Sequence, residues 1–145
     1  MKKILLVLTL TLGTLVSNAQ LKSVVPIKTL GTAKRGGYTI ATIKQFDSTN
    51  YSLTYWDATF STIDVYNDIK FNGNNELIDK LYEMFKLQIE QEKGSEANFV
   101  LGEQVLKIKT TKFLGSKMID VWVAEPLHAG NFKLTENEIN KLFNK

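Results

Sequence analysis

Few side chains in this chain have the type and spacing to run a reaction. The 145 residues hold one histidine, His128, within Glu125-Pro126-Leu127-His128-Ala129-Gly130, and Asp120 lies close by in sequence. A Ser-His-Asp device also needs a nucleophile presented on a sharp strand-to-helix turn. No Gly-x-Ser-x-Gly occurs, and Leu114-Gly115-Ser116-Lys117 lacks that pattern. With no cysteine and a single histidine, only carboxylates and carbonyls remain as metal ligands, a set suited to Ca²⁺ or Mg²⁺. Asp57, Asp64 and Asp68 share one region, but their spacing is not that of an EF-hand loop. Glycoside hydrolysis needs two carboxyl groups roughly 5–10 Å apart across a cleft, and Glu103, Asp120 and Glu125 are the set that the last strands can bring together. A chain with 15 acidic residues offers such triples readily, and so small a domain rarely folds around a deep cleft. The expectation is therefore no catalytic residue, no metal site and no cofactor, with a small carboxylate-site hydrolase as the enzymatic alternative.

The aromatics say more. Tyr51, Tyr55, Trp56, Phe60 and Tyr66 crowd one stretch. Tyr55 and Trp56 are consecutive, so on a regular strand one faces the core and the other faces away. A partly exposed ring there suits sugar stacking or a protein contact, which makes Tyr55 and Trp56 the candidate binding residues. Asp47-Ser48-Thr49 matches a short bacterial O-glycosylation motif, with Ser48 as acceptor, and Asn50-Tyr51-Ser52 matches the Asn-x-Ser acceptor of eukaryotic secretion. The stretch Gly31-Thr-Ala-Lys-Arg-Gly-Gly37 is rich in glycine and basic residues but lacks the order of a phosphate-binding loop.

The N-terminus carries an address. Lys2 and Lys3, the apolar run Ile4–Val16 and the small residues Ser17-Asn18-Ala19 have the three-part layout of a secretory signal, with cleavage expected between Ala19 and Gln20. The run is too short to span a bilayer. Export to the periplasm or beyond is expected, with no membrane insertion once the signal is removed. The absence of cysteine excludes disulfides, thiol chemistry and a lipoprotein anchor. Loss of Lys2 and Lys3 takes most of the formal charge of +3, and the densest basic group, Lys107, Lys109 and Lys112, reads as a solvated strand face. Nucleic acid is not an expected partner, because phosphate binding needs clustered cations.

The remaining patterning predicts the elements. Leu21–Gly37, punctuated by Pro26 and three glycines, reads as an N-terminal arm in which Val24-Val25-Pro26-Ile27 offers an edge strand. From Tyr38 the period is two, and Asp47-Ser48-Thr49-Asn50 joins the first two strands as a hairpin. A third run places Ile63, Val65, Ile69 and Phe71 on one parity. From Glu76 to Lys93 the period becomes 3.6, with Leu77, Ile78, Leu81, Tyr82, Met84, Phe85 and Ile89 in one stripe and Gly94 as terminator. Strands follow over Phe99–Lys112, with a break at Gly102, and over Lys117–Ala124, joined at Gly115-Ser116. Thr135 and Glu138 form a capping box for a short last helix. The predicted class is α+β: an antiparallel sheet of about five strands, in the order β-β-β-α-β-β-α, covered by one long helix and a short C-terminal one. Domain organisation is expected as signal 1–19, arm 20–37 and a single domain over 38–145, with no internal repeat.

The segments Asn18-Ala19-Gln20, Tyr51-Ser-Leu-Thr-Tyr-Trp-Asp-Ala58 and Leu134-Thr-Glu-Asn-Glu-Ile-Asn-Lys-Leu-Phe-Asn-Lys145 together resemble a group of small secreted proteins common in Bacteroidota. The resemblance implies a bacterial source, export and a shared fold, and it carries no activity. The functional expectation is an exported, non-enzymatic interaction domain presenting loops or an edge strand to a protein of the cell envelope. The alternative of a different class is a carbohydrate-binding or envelope-associated module.

Overall fold

The computed structural model of the protein describes residues 26–60, 62–124 and 129–145. The expected signal segment, the Ala19–Gln20 junction, Val24, Val25, Glu125 and His128 lie outside them. The strands Lys28–Arg35 (β1), Tyr38–Gln45 (β2), Asn50–Trp56 (β3) and Tyr66–Asn72 (β4) pair antiparallel in sequence order as one sheet. The helix Asn75–Glu90 (α1) follows. The strands Glu96–Leu101 (β5), Gln104–Phe113 (β6), Ser116–Ala124 (β7) and Ala129–Thr135 (β8) form a second four-stranded meander, and the helix Glu136–Leu142 (α2) comes last.

The class is α+β, but the layout of one five-stranded sheet is corrected to two four-stranded sheets. Three local causes account for this. Eight residues of the stretch expected to be an arm are β1, which turns into β2 through Gly36 and Gly37, both at positive φ as a two-residue hairpin of this hand requires. The long run after Phe99 is two strands, because Gly102 at φ 63 opens a tight turn that pairs Leu101 with Gln104. The segment before the last helix is β8, paired along its length with β7.

The two sheets face each other across a single core. Tyr51, Leu53, Tyr55, Ile69 and Phe71 supply the inner face of the first sheet, and Leu106, Ile108, Ile119, Val121, Val123, Phe132 and Leu134 that of the second. Tyr55 meets Phe132 with ring centroids 4.9 Å apart, joining the layers directly. Helix α1 begins where Asn74 accepts a hydrogen bond from the Leu77 N–H at 3.0 Å. It lays Ile78, Leu81, Phe85 and Ile89 into the core, with Phe85 edge-on to Phe143. The helix stops at Glu90 rather than Lys93 because Thr110 of β6 takes over its last turn. The Thr110 hydroxyl donates to the Gln88 carbonyl at 2.6 Å, and Lys117 Nζ donates to the Glu90 carbonyl at 3.0 Å.

Helix α2 has the capping box that the sequence predicts: Thr135 N–H donates to Glu138 Oε2 at 2.8 Å, and Glu138 N–H to Thr135 Oγ1. Glu138 also receives Arg35 Nε at 2.8 Å and Nη2 at 2.6 Å, binding the end of β1 to the last helix. Backbone meets backbone there. A Cβ at Gly31 would overlap the carbonyl of Leu142.

Two outcomes follow for stability. Gly31→Ala forces α2 off β1 and is expected to cost about 1–3 kcal/mol in urea unfolding. Burial pushes the Glu138 carboxyl up, but Arg35 and the Thr135 N–H outweigh it and leave the group below its ordinary value of 4.5. A depressed carboxylate adds stability above the unfolded value and loses it as pH falls through the folded one. Glu138→Gln is therefore expected to be less stable than wild type at pH 7, with the gap closing below about pH 4.5 in the same assay.

Candidate functional site

The sequence-nominated residues come to rest in different places. Tyr55 is fully buried between the sheets and offers no surface to a ligand. Trp56, its neighbour on β3, turns to the outer face beside Tyr66 but is half-buried against the core. Ser48 is exposed at the β2–β3 turn, which Asp47 organises by accepting the N–H groups of Thr49 and Asn50 at 2.8 Å each. Those donors hold the Asp47 carboxyl below its ordinary value.

The three aspartates weighed for calcium do not converge. Asp57 is buried and accepts from Thr59 N–H, Asn67 Nδ2 and Asn131 N–H at 3.0–3.2 Å. Asp68 instead accepts from the Thr54 hydroxyl. Among the described residues no group of three acidic or histidine side chains could hold a metal. Glu103 sits in the β5–β6 turn, whereas Asp120 pairs with Lys109, six positions further along β6 and about 20 Å away at strand spacing. The register keeps those two carboxylates apart.

The outer face of the second sheet brings together what the sequence had scattered. Three cross-strand rows run over β5, β6, β7 and β8. Val100, Val105, Ala124 and Ala129 form an apolar row. Beside it lie Asn98, Lys107, Trp122 and Asn131, and beyond them Glu96, Lys109, Asp120 and Lys133. Helix α1 packs on the opposite, inner face through Gln88, Phe85 and their partners, so neither helix covers this side. Trp122 stands at its centre, 41% exposed.

The polar groups around Trp122 are unevenly satisfied. Lys107 Nζ and Lys109 Nζ both reach Glu96, at 2.8 and 3.2 Å, and hold its carboxyl below the ordinary range. Lys112, grouped with them in the sequence, falls on the other strand parity. Asp120 is only 7% exposed, and burial raises its carboxyl above the ordinary value of 3.8 against the pull of Lys133, the Trp122 indole and Lys109. Its Oδ2 is 3.7 Å from Lys133 Nζ. The Oδ1 atoms of Asp120 and Asn131, both buried, meet no hydrogen-bond donor among the described residues. Two acceptors that want donors therefore flank an exposed aromatic ring.

Trp122 was the residue missed by sequence reasoning. The signal was present: Ile119, Val121 and Val123 face inward, which places Trp122 outward by the same alternation.

Comparison with protein-family models, with curated proteins and with solved structures finds no match, so this face must be interpreted by its own chemistry. Since the raised group is favoured in its neutral form, ionised Asp120 lowers stability above pH 3.8. Asp120→Asn is expected to be at least as stable as wild type at pH 7, the advantage fading as pH falls below that value. Urea unfolding at pH 7 and pH 3 measures it.

Proposed function

We propose that the protein is an exported, non-enzymatic binding domain that takes a glycan of the cell envelope on the outer face of its second sheet. The observation that carries this reading is the exposed Trp122 ring with the part-exposed Lys107, Lys109 and Glu96 side chains beside it on one sheet face. A sugar ring has an apolar C–H face for stacking on indole and hydroxyl groups around its rim that exchange hydrogen bonds with such charged side chains. Lys107, directly across β6 from Trp122, and Lys109 add donors for ring and hydroxyl oxygens. An open sheet face suits an extended chain better than it suits a reaction, because nothing there excludes water from a transition state. Export is proposed on the N-terminal layout of Met1–Ala19, and the lack of cysteine is compatible with any redox compartment.

The glycan reading favours Trp122 over Trp56 as the platform. Trp56→Ala is expected to leave glycan binding unchanged. Trp122→Ala is expected to weaken binding on a glycan array by about tenfold or more, equivalent to ~1.4 kcal/mol, with little change in unfolding. Retention of no glycan by the wild-type chain would turn the assignment back to a protein partner, and loss with Trp56→Ala instead would move the platform to the first sheet.

A further inference from the structure

We propose that the β6–β7 hairpin tip is a membrane-contacting finger that rests the domain on an anionic lipid surface. Three observations converge on this. First, the tip stands free of its sheet. Pairing with β5 ends at Glu96–Lys109 and pairing with β8 at Met118–Thr135, so Lys112–Lys117 extends as a ribbon with no neighbouring strand among the described residues. Second, its apex is apolar: Phe113 is 65% exposed and Leu114 is 89% exposed.

Third, Leu114 has φ 48, in a two-residue turn where asparagine, aspartate or glycine is the favoured first residue. A bulky apolar side chain in that conformation is costly, and the fold gains no burial from it. Its value has to lie outside the domain.

Convexity selects the occupant. The tip presents no concavity to grip a small ligand, whereas a bilayer interface yields around two projecting side chains and takes up their apolar area. Lys112 flanks the pair, Lys117 on the other side ties the base of the finger to the end of α1, and residues 110–118 contain no carboxylate. Such a flanking cation lies at headgroup level and favours anionic lipid. The contact is peripheral: among the described residues no helix is long and apolar enough to cross a membrane.

The chain has no cysteine, so Ser116→Cys supplies a single labelling site at the tip and Ser48→Cys a control at the β2–β3 turn. The full chain, labelled at one or the other with an environment-sensitive dye, is titrated with phosphatidylglycerol vesicles carrying spin-labelled lipid. This local readout is needed because the apolar run Ile4–Val16 can itself partition into lipid. Quenching is expected at position 116 and not at 48, about tenfold weaker with pure phosphatidylcholine. It should be lost in a Phe113→Ser, Leu114→Asn double variant, which keeps the turn because asparagine tolerates positive φ. A silent tip, quenching equal at both positions, an equal response to both lipids, or full quenching in the double variant would each overturn the proposal. The glycan array reports on a different face, so the two readings fail separately.

Discussion

The structure turns on one buried carboxylate. Asp57 sits just past the end of β3, fully enclosed, and accepts the backbone N–H of Asn131 on β8, while the Ala58 N–H donates 2.7 Å to the Asn131 carbonyl. Two sheets that share no strand are thereby stitched at the point where Tyr55 packs on Phe132. A carboxyl of this kind is tolerated in an interior only when its acceptor positions are occupied, and here Thr59, Asn67 and Asn131 donate to them. Everything on the outer face of the second sheet inherits that restraint. Asn131 belongs to the stitch and also stands opposite Trp122, so its backbone fixes that row of the sheet while its side-chain oxygen stays buried beneath it.

Much of the fold was legible where a pattern repeats over several turns or a cap has its own chemistry. The stripe of α1, the Asp47–Asn50 hairpin turn and the Thr135–Glu138 box all lie where sequence placed them. The edge strands were not legible. β1 reads Lys-Thr-Leu-Gly-Thr-Ala-Lys-Arg, and β8 includes Gly130, Asn131 and Lys133. Their places are fixed by partners distant in sequence: α2 lies against Gly31, and β7 pairs along β8. Tertiary context overrides a weak local preference in both cases.

The same reasoning explains why the site was only half visible. Lys107 and Lys109 were noticed as a group, and Trp122 lay within a predicted strand, but only cross-strand register sets them in adjoining rows. Register also separated Glu103 from Asp120, which proximity in a list of acids had brought together. The chain repeats one order of elements, four strands and a helix, yet its sequence shows no matching repeat. The two helices do different work: α1 fills the core beside the second sheet, and α2 packs over β1 at the end of the first.

That last contact has a consequence for how the molecule comes into being. Arg35 and Glu138 are separated by 103 positions, and the face of β1 beside Gly31 is covered only when α2 arrives. Without residues 136–145 the face of β1 beside Gly31 and the core corner near Phe143 stay unfilled, so the domain closes only once α2 has docked. Late closure of this kind suits the export proposed above, because a chain passed through a membrane in extended form has to stay pliable until it is released.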